Sequence, residues 1–182
     1  MTLNVYKARL TLKDGVAEIA VVGEGANELH SNGYYGELEG ERLRLSPVEA
    51  LYLVRRGRVE VIDESDTPQD FRSLLGKLNP VSGRLWTDYL VYSDLRDRGY
   101  IVRPGFTQGG SFRLYKRGTE IGEEAAKSLV YVLSEGKPIT VLRLSEIAHE
   151  TRTLRKEPIF AVVDSQGDLT YYSMTATDLR KA

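Results

Sequence analysis

Cysteine is absent from these 182 residues, which excludes disulfides and thiolate metal sites and leaves the redox compartment open. Histidine is nearly absent. His30 and His149 are the only two, and neither has metal-ligand spacing to acids or to the other, so zinc chemistry is not expected. No glycine-rich loop with a following lysine points to nucleotide binding, and no cofactor is expected. No apolar run approaches the ~20 residues that cross a bilayer, and the N-terminus lacks a charged-then-apolar signal pattern. The expectation is a cytoplasmic protein without membrane association. A net charge of −1 excludes a molecule that attracts polyanions as a whole.

What is present is an ordinary core-forming composition, 41% hydrophobic and 28% charged, enough for one generous domain or two small ones. The charge is unevenly spread. Glu60, Asp63, Glu64, Asp66 and Asp70 crowd one stretch, whereas residues 84–118 carry seven Lys/Arg against three acids. Arginine dominates the cations and suits bidentate phosphate contacts, although base composition or thermal adaptation accounts for it equally well by itself.

The first part alternates as strands do. Val5–Leu10 and Ala17–Val22 flank Asp14-Gly15, a hairpin turn, and Leu43 with Leu45 marks another short strand. Ser46-Pro47-Val48-Glu49 combines a cap, a proline suited to the first helical position and a capping-box glutamate, so a helix runs to Arg56 and stops at Gly57. Val59 and Val61 give a strand, and His30 falls in a polar loop. Residues 63–82 read as a connector that holds a helix, with Phe71, Leu74, Leu75 and Leu78 at helical spacing. The predicted domains are therefore 1–82, a small N-terminal α+β unit with its connector, and 83–182. The second opens with a helix bearing Leu85, Tyr89 and Tyr92 and ended by Gly99. Strands at 100–103, 111–116, 128–133, 159–163 and 169–173 follow, with a helix near 143–153.

Within Ser111–Lys116, Phe112 and Leu114 alternate with Arg113 and Tyr115. With the apolar pair inward, Tyr115 emerges beside Arg113 on the other face, near Lys116 and Arg117. Cations favour the phenolate, which a general base needs. A strand tyrosine is nonetheless a packing residue by default. A second basic cluster, Arg152-Thr153-Leu154-Arg155-Lys156, precedes the apolar strand Ile159–Val163. A lysine there can steady a pentavalent phosphate, and a solvated helix end has equal claim. Asp164 and Asp168 bracket a tight turn in which aspartate is favoured for turn chemistry.

Taken in order, these landmarks resemble the archaeal tRNA-splicing endonuclease family. Residues 89–118 are the closest match, from Tyr89-Leu90-Val91-Tyr92 through Arg98-Gly99-Tyr100 to Phe112-Arg113-Leu114-Tyr115. Residues 33–61 look like the family's N-terminal domain, and 154–172, with Arg155-Lys156, Ala161–Asp164, Gly167-Asp168 and Tyr171-Tyr172, like its C-terminal end. The resemblance implies a C-terminal mixed-sheet domain of the splicing-endonuclease, restriction-endonuclease-like type behind the N-terminal α+β domain. It also implies metal-independent cleavage of precursor tRNA at bulged helices, leaving a 2′,3′-cyclic phosphate and a 5′-hydroxyl. In that family a tyrosine is the base, a histidine the acid, and a lysine stabilises the transition state. The tyrosine falls on Tyr115 and the lysine on Lys156. The histidine opens a segment of the form His-Ser-x-Tyr-Leu-Val, which Leu129-Val130 anchors here, and its position is taken by Ala125. Shifting the alignment meets Glu123, Glu124, Ala126 or Lys127, never a histidine.

Alanine cannot protonate a leaving oxygen, and general-acid help is worth ~10²–10⁴-fold. The resemblance then implies a structural subunit, inactive or very weak alone, in a heterotetramer with a catalytic paralogous subunit. Arg113, Arg117, Arg152 and Arg155 are its candidate RNA contacts. Asp164 and Asp168, in a loop that docks into a neighbour, and Tyr171 and Tyr172, on an edge strand, are its candidate interface. Two alternatives stand beside it: a catalytic chain that relies on Tyr115 and Lys156, with or without Lys127 or His149, and a non-enzymatic RNA-binding scaffold.

Overall fold

In the computed structural model, which describes residues 4–105, 111–118 and 125–175, the chain opens on the hairpin its alternation predicts. Strands β1 (Tyr6–Lys13) and β2 (Val16–Val22) pair antiparallel, with Lys13 opposite Val16. Asp14 and Gly15 both adopt positive φ, 50° and 77°, the two-residue geometry that matches strand twist. Ala8, Leu10, Ile19 and Val21 are each 1% exposed and put one face of this hairpin into the core. Strands β3 (Glu37–Glu39) and β4 (Arg42–Leu45) extend the sheet beyond β2. Strand β5 (Val59–Ile62) pairs parallel with β1, and β6 (Pro68–Gln69) closes the order β3-β4-β2-β1-β5-β6.

Among the described residues, three helices lie wholly within this unit. Helix α1 (Glu24–Gly33) corrects the expectation of a loop around His30. It has no apolar stripe to betray it and buries only Gly25, Ala26 and Leu29. A β-carbon at Gly25 would overlap the Tyr6 ring, so close packing against β1, not intrinsic propensity, holds it. Helix α2 (Pro47–Arg55) begins with the predicted capping box. Glu49 is 1% exposed, yet its carboxylate accepts from Ser46 N at 2.8 Å, Ser46 Oγ at 2.7 Å and Gly36 N at 2.9 Å. Gly57, with φ 63°, ends the helix as expected. Helix α3 (Phe71–Ser82) is capped by Asp70, which accepts from Ser73 N at 2.8 Å, and fully buries Leu74 and Leu78.

The chain divides into two compact units at Ser93/Asp94, within α4 (Leu85–Asp97), which Gly99 terminates at φ 85°. The second unit is a five-stranded mixed sheet ordered β11-β10-β9-β8-β7. Its strands are β7 (Ile101–Pro104), β8 (Phe112–Tyr115), β9 (Ser128–Ser134), β10 (Glu157–Val163) and β11 (Leu169–Ser173). Strand β9 is central and reads as a continuous apolar run because both its faces are covered; Leu129 through Val132 are all buried. It pairs parallel with β10, and α5 (Val141–Thr153) makes the crossover. Leu129, Tyr131, Ile147 and Phe160 form the core beneath that helix. An N-terminal α+β unit followed by a mixed-sheet unit is the expected fold class. Among the described residues, no helix is long and apolar enough to cross a membrane.

Candidate functional site

Three strand ends meet where the sequence concentrates its chemistry. Strand β8 runs antiparallel to β9 with Leu114 opposite Ser128, and β10 runs parallel to β9 with Glu157 opposite the same serine. The C-terminal end of β8 and the N-terminal ends of β9 and β10 therefore lie side by side. The segment entering β9 is bonded on both flanks: Lys127 N donates to Leu114 O at 3.0 Å, and Glu157 N donates to Lys127 O at 3.1 Å. Tyr115, Ala125 and Lys156, far apart in sequence, are gathered at one end of the sheet.

Tyr115 stands beside Arg113 as the alternation predicts, and Arg113 Nη1 donates to its hydroxyl at 3.4 Å. It does not emerge to solvent. Tyr115 is 6% exposed, close to Phe112 at 4% and Leu114 at 7%, because this sheet is covered on both faces. Arg113 is itself half-buried, with Nε donating to Pro104 O at 2.7 Å.

Lys156 owes its position to the handover from α5 to β10. Arg155 takes a left-handed turn at φ 53°, and Lys156 N closes back on Thr151 O at 2.8 Å. Its ammonium then donates to the carbonyl of Ala126, next to Ala125. Arg152 and Lys156 line one pocket of about 350 Å³ whose wall includes Pro158 and Met174. Ala125 is exposed and brings no ionisable group. Lys127 is exposed and pairs with Glu157 at 3.4 Å, and His149 is exposed on α5. Glu123 and Glu124 lie outside the described residues. Of the candidate RNA contacts, Arg117 and Arg155 are exposed on either side of the entry to β9, and the Arg117 guanidinium sits 4.9 Å from the Tyr100 ring centroid.

Among the described residues, strand β11 is a sheet edge, as expected. Its two tyrosines differ. Tyr172 is 56% exposed, whereas the Tyr171 hydroxyl donates to Asp94 Oδ2 at 2.7 Å. Arg98 Nε donates to the same oxygen at 2.7 Å, and its guanidinium lies 5.8 Å from the Tyr171 ring centroid. Burial, and then the bond to the Asp94 carboxylate, push the Tyr171 phenol well above its ordinary range. The Asp94–Arg98 spacing of four was a visible ion-pair signal; the tyrosine, 77 residues away, was not. In the turn before β11, Asp164 Oδ1 accepts from Gln166 N at 2.8 Å and Asp168 N at 2.9 Å. Asp164 thus organises its own loop, and Asp168 is the exposed carboxylate.

Two family models match the chain, one for each part. The model for the tRNA intron endonuclease, N-terminal domain, matches residues 9–75, and that for the tRNA intron endonuclease, catalytic C-terminal domain, matches 85–171. The tRNA-splicing endonuclease of Methanothermobacter thermautotrophicus is 40% identical over 149 residues, covering 81% of this chain and 85% of its own length. That of Pyrococcus furiosus is 36% identical over 151 residues, covering 83% and 86%. That of Methanococcoides burtonii is 35% identical over 162 residues, 89% of this chain but 45% of the relative, so the chain spans about half of that longer protein. On both domains and on these relatives, the chain belongs to the tRNA-splicing endonuclease family.

Proposed function

We propose that this chain is the structural, RNA-positioning subunit of a heteromeric tRNA-splicing endonuclease that removes introns from precursor tRNA. One observation carries the reading: an exposed alanine, Ala125, precedes β9 at the same end of the sheet as Tyr115 on β8 and Lys156 before β10. The frame is kept while the proton donor is missing. Without it a departing 5′-oxygen at this site leaves unprotonated. That deficit is ~10²–10⁴-fold, and a catalytic paralogous subunit bearing the histidine makes it good at its own site. This chain then supplies cations along the RNA, from Arg113, Arg117, Arg152 and Arg155. It supplies assembly contacts through Asp164, Asp168 and the β11 edge carrying Tyr171 and Tyr172, since an unpaired edge strand accepts another strand.

The placement of Tyr115 and Lys156 at one end of the sheet supports a second reading, a slow catalyst that lacks only its acid. Substitution inside the assembled enzyme separates the two. Tyr115→Phe with Lys156→Ala in this chain is expected to leave the single-turnover rate within about twofold, while the same changes in the partner remove general-base and charge stabilisation. A large loss from the changes in this chain would favour the second reading.

A further inference from the structure

The first unit carries a surface that none of these roles uses. Phe71, the first residue of α3, packs edge-on against two rings of α4: Trp86, with centroids 6.5 Å apart at 78°, and Tyr89, 5.0 Å apart at 62°. Trp86 and Tyr89 are one helical turn apart and stacked, 5.7 Å between centroids at 24°. Arg55, closing α2, sets its guanidinium 5.7 Å from the Phe71 centroid, and Arg56 sits 5.3 Å from that of Tyr52. Tyr89 is 3% exposed and anchors the group in the core, while Trp86 is 47% exposed. A single exposed apolar side chain is ordinary. An indole backed by a buried ring and braced by a second ring, which itself lies under the exposed Arg55 guanidinium, is a preorganised surface.

We propose that Trp86 is a stacking platform for an unpaired RNA base, with Arg55 and Arg56 contacting the flanking phosphates. Aromatic faces accept any base, and arginine adds backbone charge and cation–π attraction. A protein partner offering an apolar side chain would have to cover the exposed Arg55 guanidinium, so the charge favours a polyanion. The proposal rests on the reading that the assembled protein handles RNA.

Trp86 is the only tryptophan of the chain, so its emission reports on this site alone. Titrating a short oligoadenylate into the full chain is expected to quench that emission saturably. By anisotropy of the labelled oligonucleotide, Trp86→Leu weakens binding about 10-fold and Trp86→Phe much less. Arg55→Ala combined with Arg56→Ala also weakens it and steepens the loss with salt less. Unchanged emission while the oligonucleotide binds would overturn the proposal, as would absence of binding. An emission change on adding a catalytic paralogue without RNA, with loss of oligonucleotide binding, would overturn it in favour of protein docking. Precursor-tRNA cleavage by the assembled enzyme is the separate test of the underlying reading. Cleavage without quenching removes the platform alone, and quenching without cleavage removes the splicing role alone.

Discussion

Replacing Tyr171 by phenylalanine isolates one bond that ties β11 to its own unit. The phenyl ring keeps its place against Arg98, so the substitution removes only the hydroxyl that donates to Asp94 at 2.7 Å. A hydrogen bond to a charged acceptor is worth ~1.5–3 kcal/mol. Asp94 retains Arg98 at 2.7 Å and its side chain is 27% exposed, so water recovers part of that. The expected loss is about 1–2 kcal/mol, read as a lower urea midpoint at unchanged slope. A double-mutant cycle with Asp94→Asn should return most of it as coupling. The pH dependence follows from the raised phenol. The contribution is complete below the unfolded-state value of ~10 and is lost as pH rises through the higher folded value. The stability difference between wild type and Tyr171→Phe should therefore be flat from neutral pH to about 10 and shrink above it. An unchanged midpoint, or full additivity with Asp94→Asn, would refute the bond as a determinant of β11.

Three further outcomes are expected. Glu49→Ala strands the buried Gly36 N–H and the Ser46 cap and should cost about 2–4 kcal/mol in urea unfolding, while a surface glutamate such as Glu60 changed to alanine costs almost nothing. Asp168→Ala should weaken the proposed heterotetramer in sedimentation at unchanged melting temperature, whereas Asp164→Ala should also lower stability by about 1 kcal/mol because its carboxylate holds two backbone N–H groups. Changing Arg117, Arg152 and Arg155 together to alanine should reduce the slope of log affinity against log salt for precursor tRNA by up to about 2; an unchanged slope places the RNA elsewhere.

How much of this was legible varied with the kind of signal. The Asp14-Gly15 turn, the Ser46–Glu49 box and the stops at Gly57 and Gly99 were readable because local backbone chemistry alone decides them. Helix α1 was not, since its stability comes from a glycine pressed against Tyr6, a contact without local trace. Strands β3 and β6, three and two residues long, exist only by pairing with β4 and β5. At the site, alternation placed Tyr115 beside Arg113 but could not reveal that both sheet faces are covered. The bond from Lys156 to Ala126 spans 30 residues and follows from a parallel crossover, which spacing cannot show. The Asp164 turn was correctly anticipated from aspartate's turn chemistry, and that same chemistry makes Asp168 the cleaner probe of docking.

The central claim is tested most directly by single-turnover cleavage of an intron-bearing precursor tRNA without divalent metal. The purified chain is assayed alone and then mixed with a paralogous chain that carries the histidine. The account predicts that the mixture cleaves at both intron boundaries while the chain alone runs at least about 10²-fold slower, as the loss of a general acid requires. Cleavage by the chain alone at the rate of the mixture would contradict it.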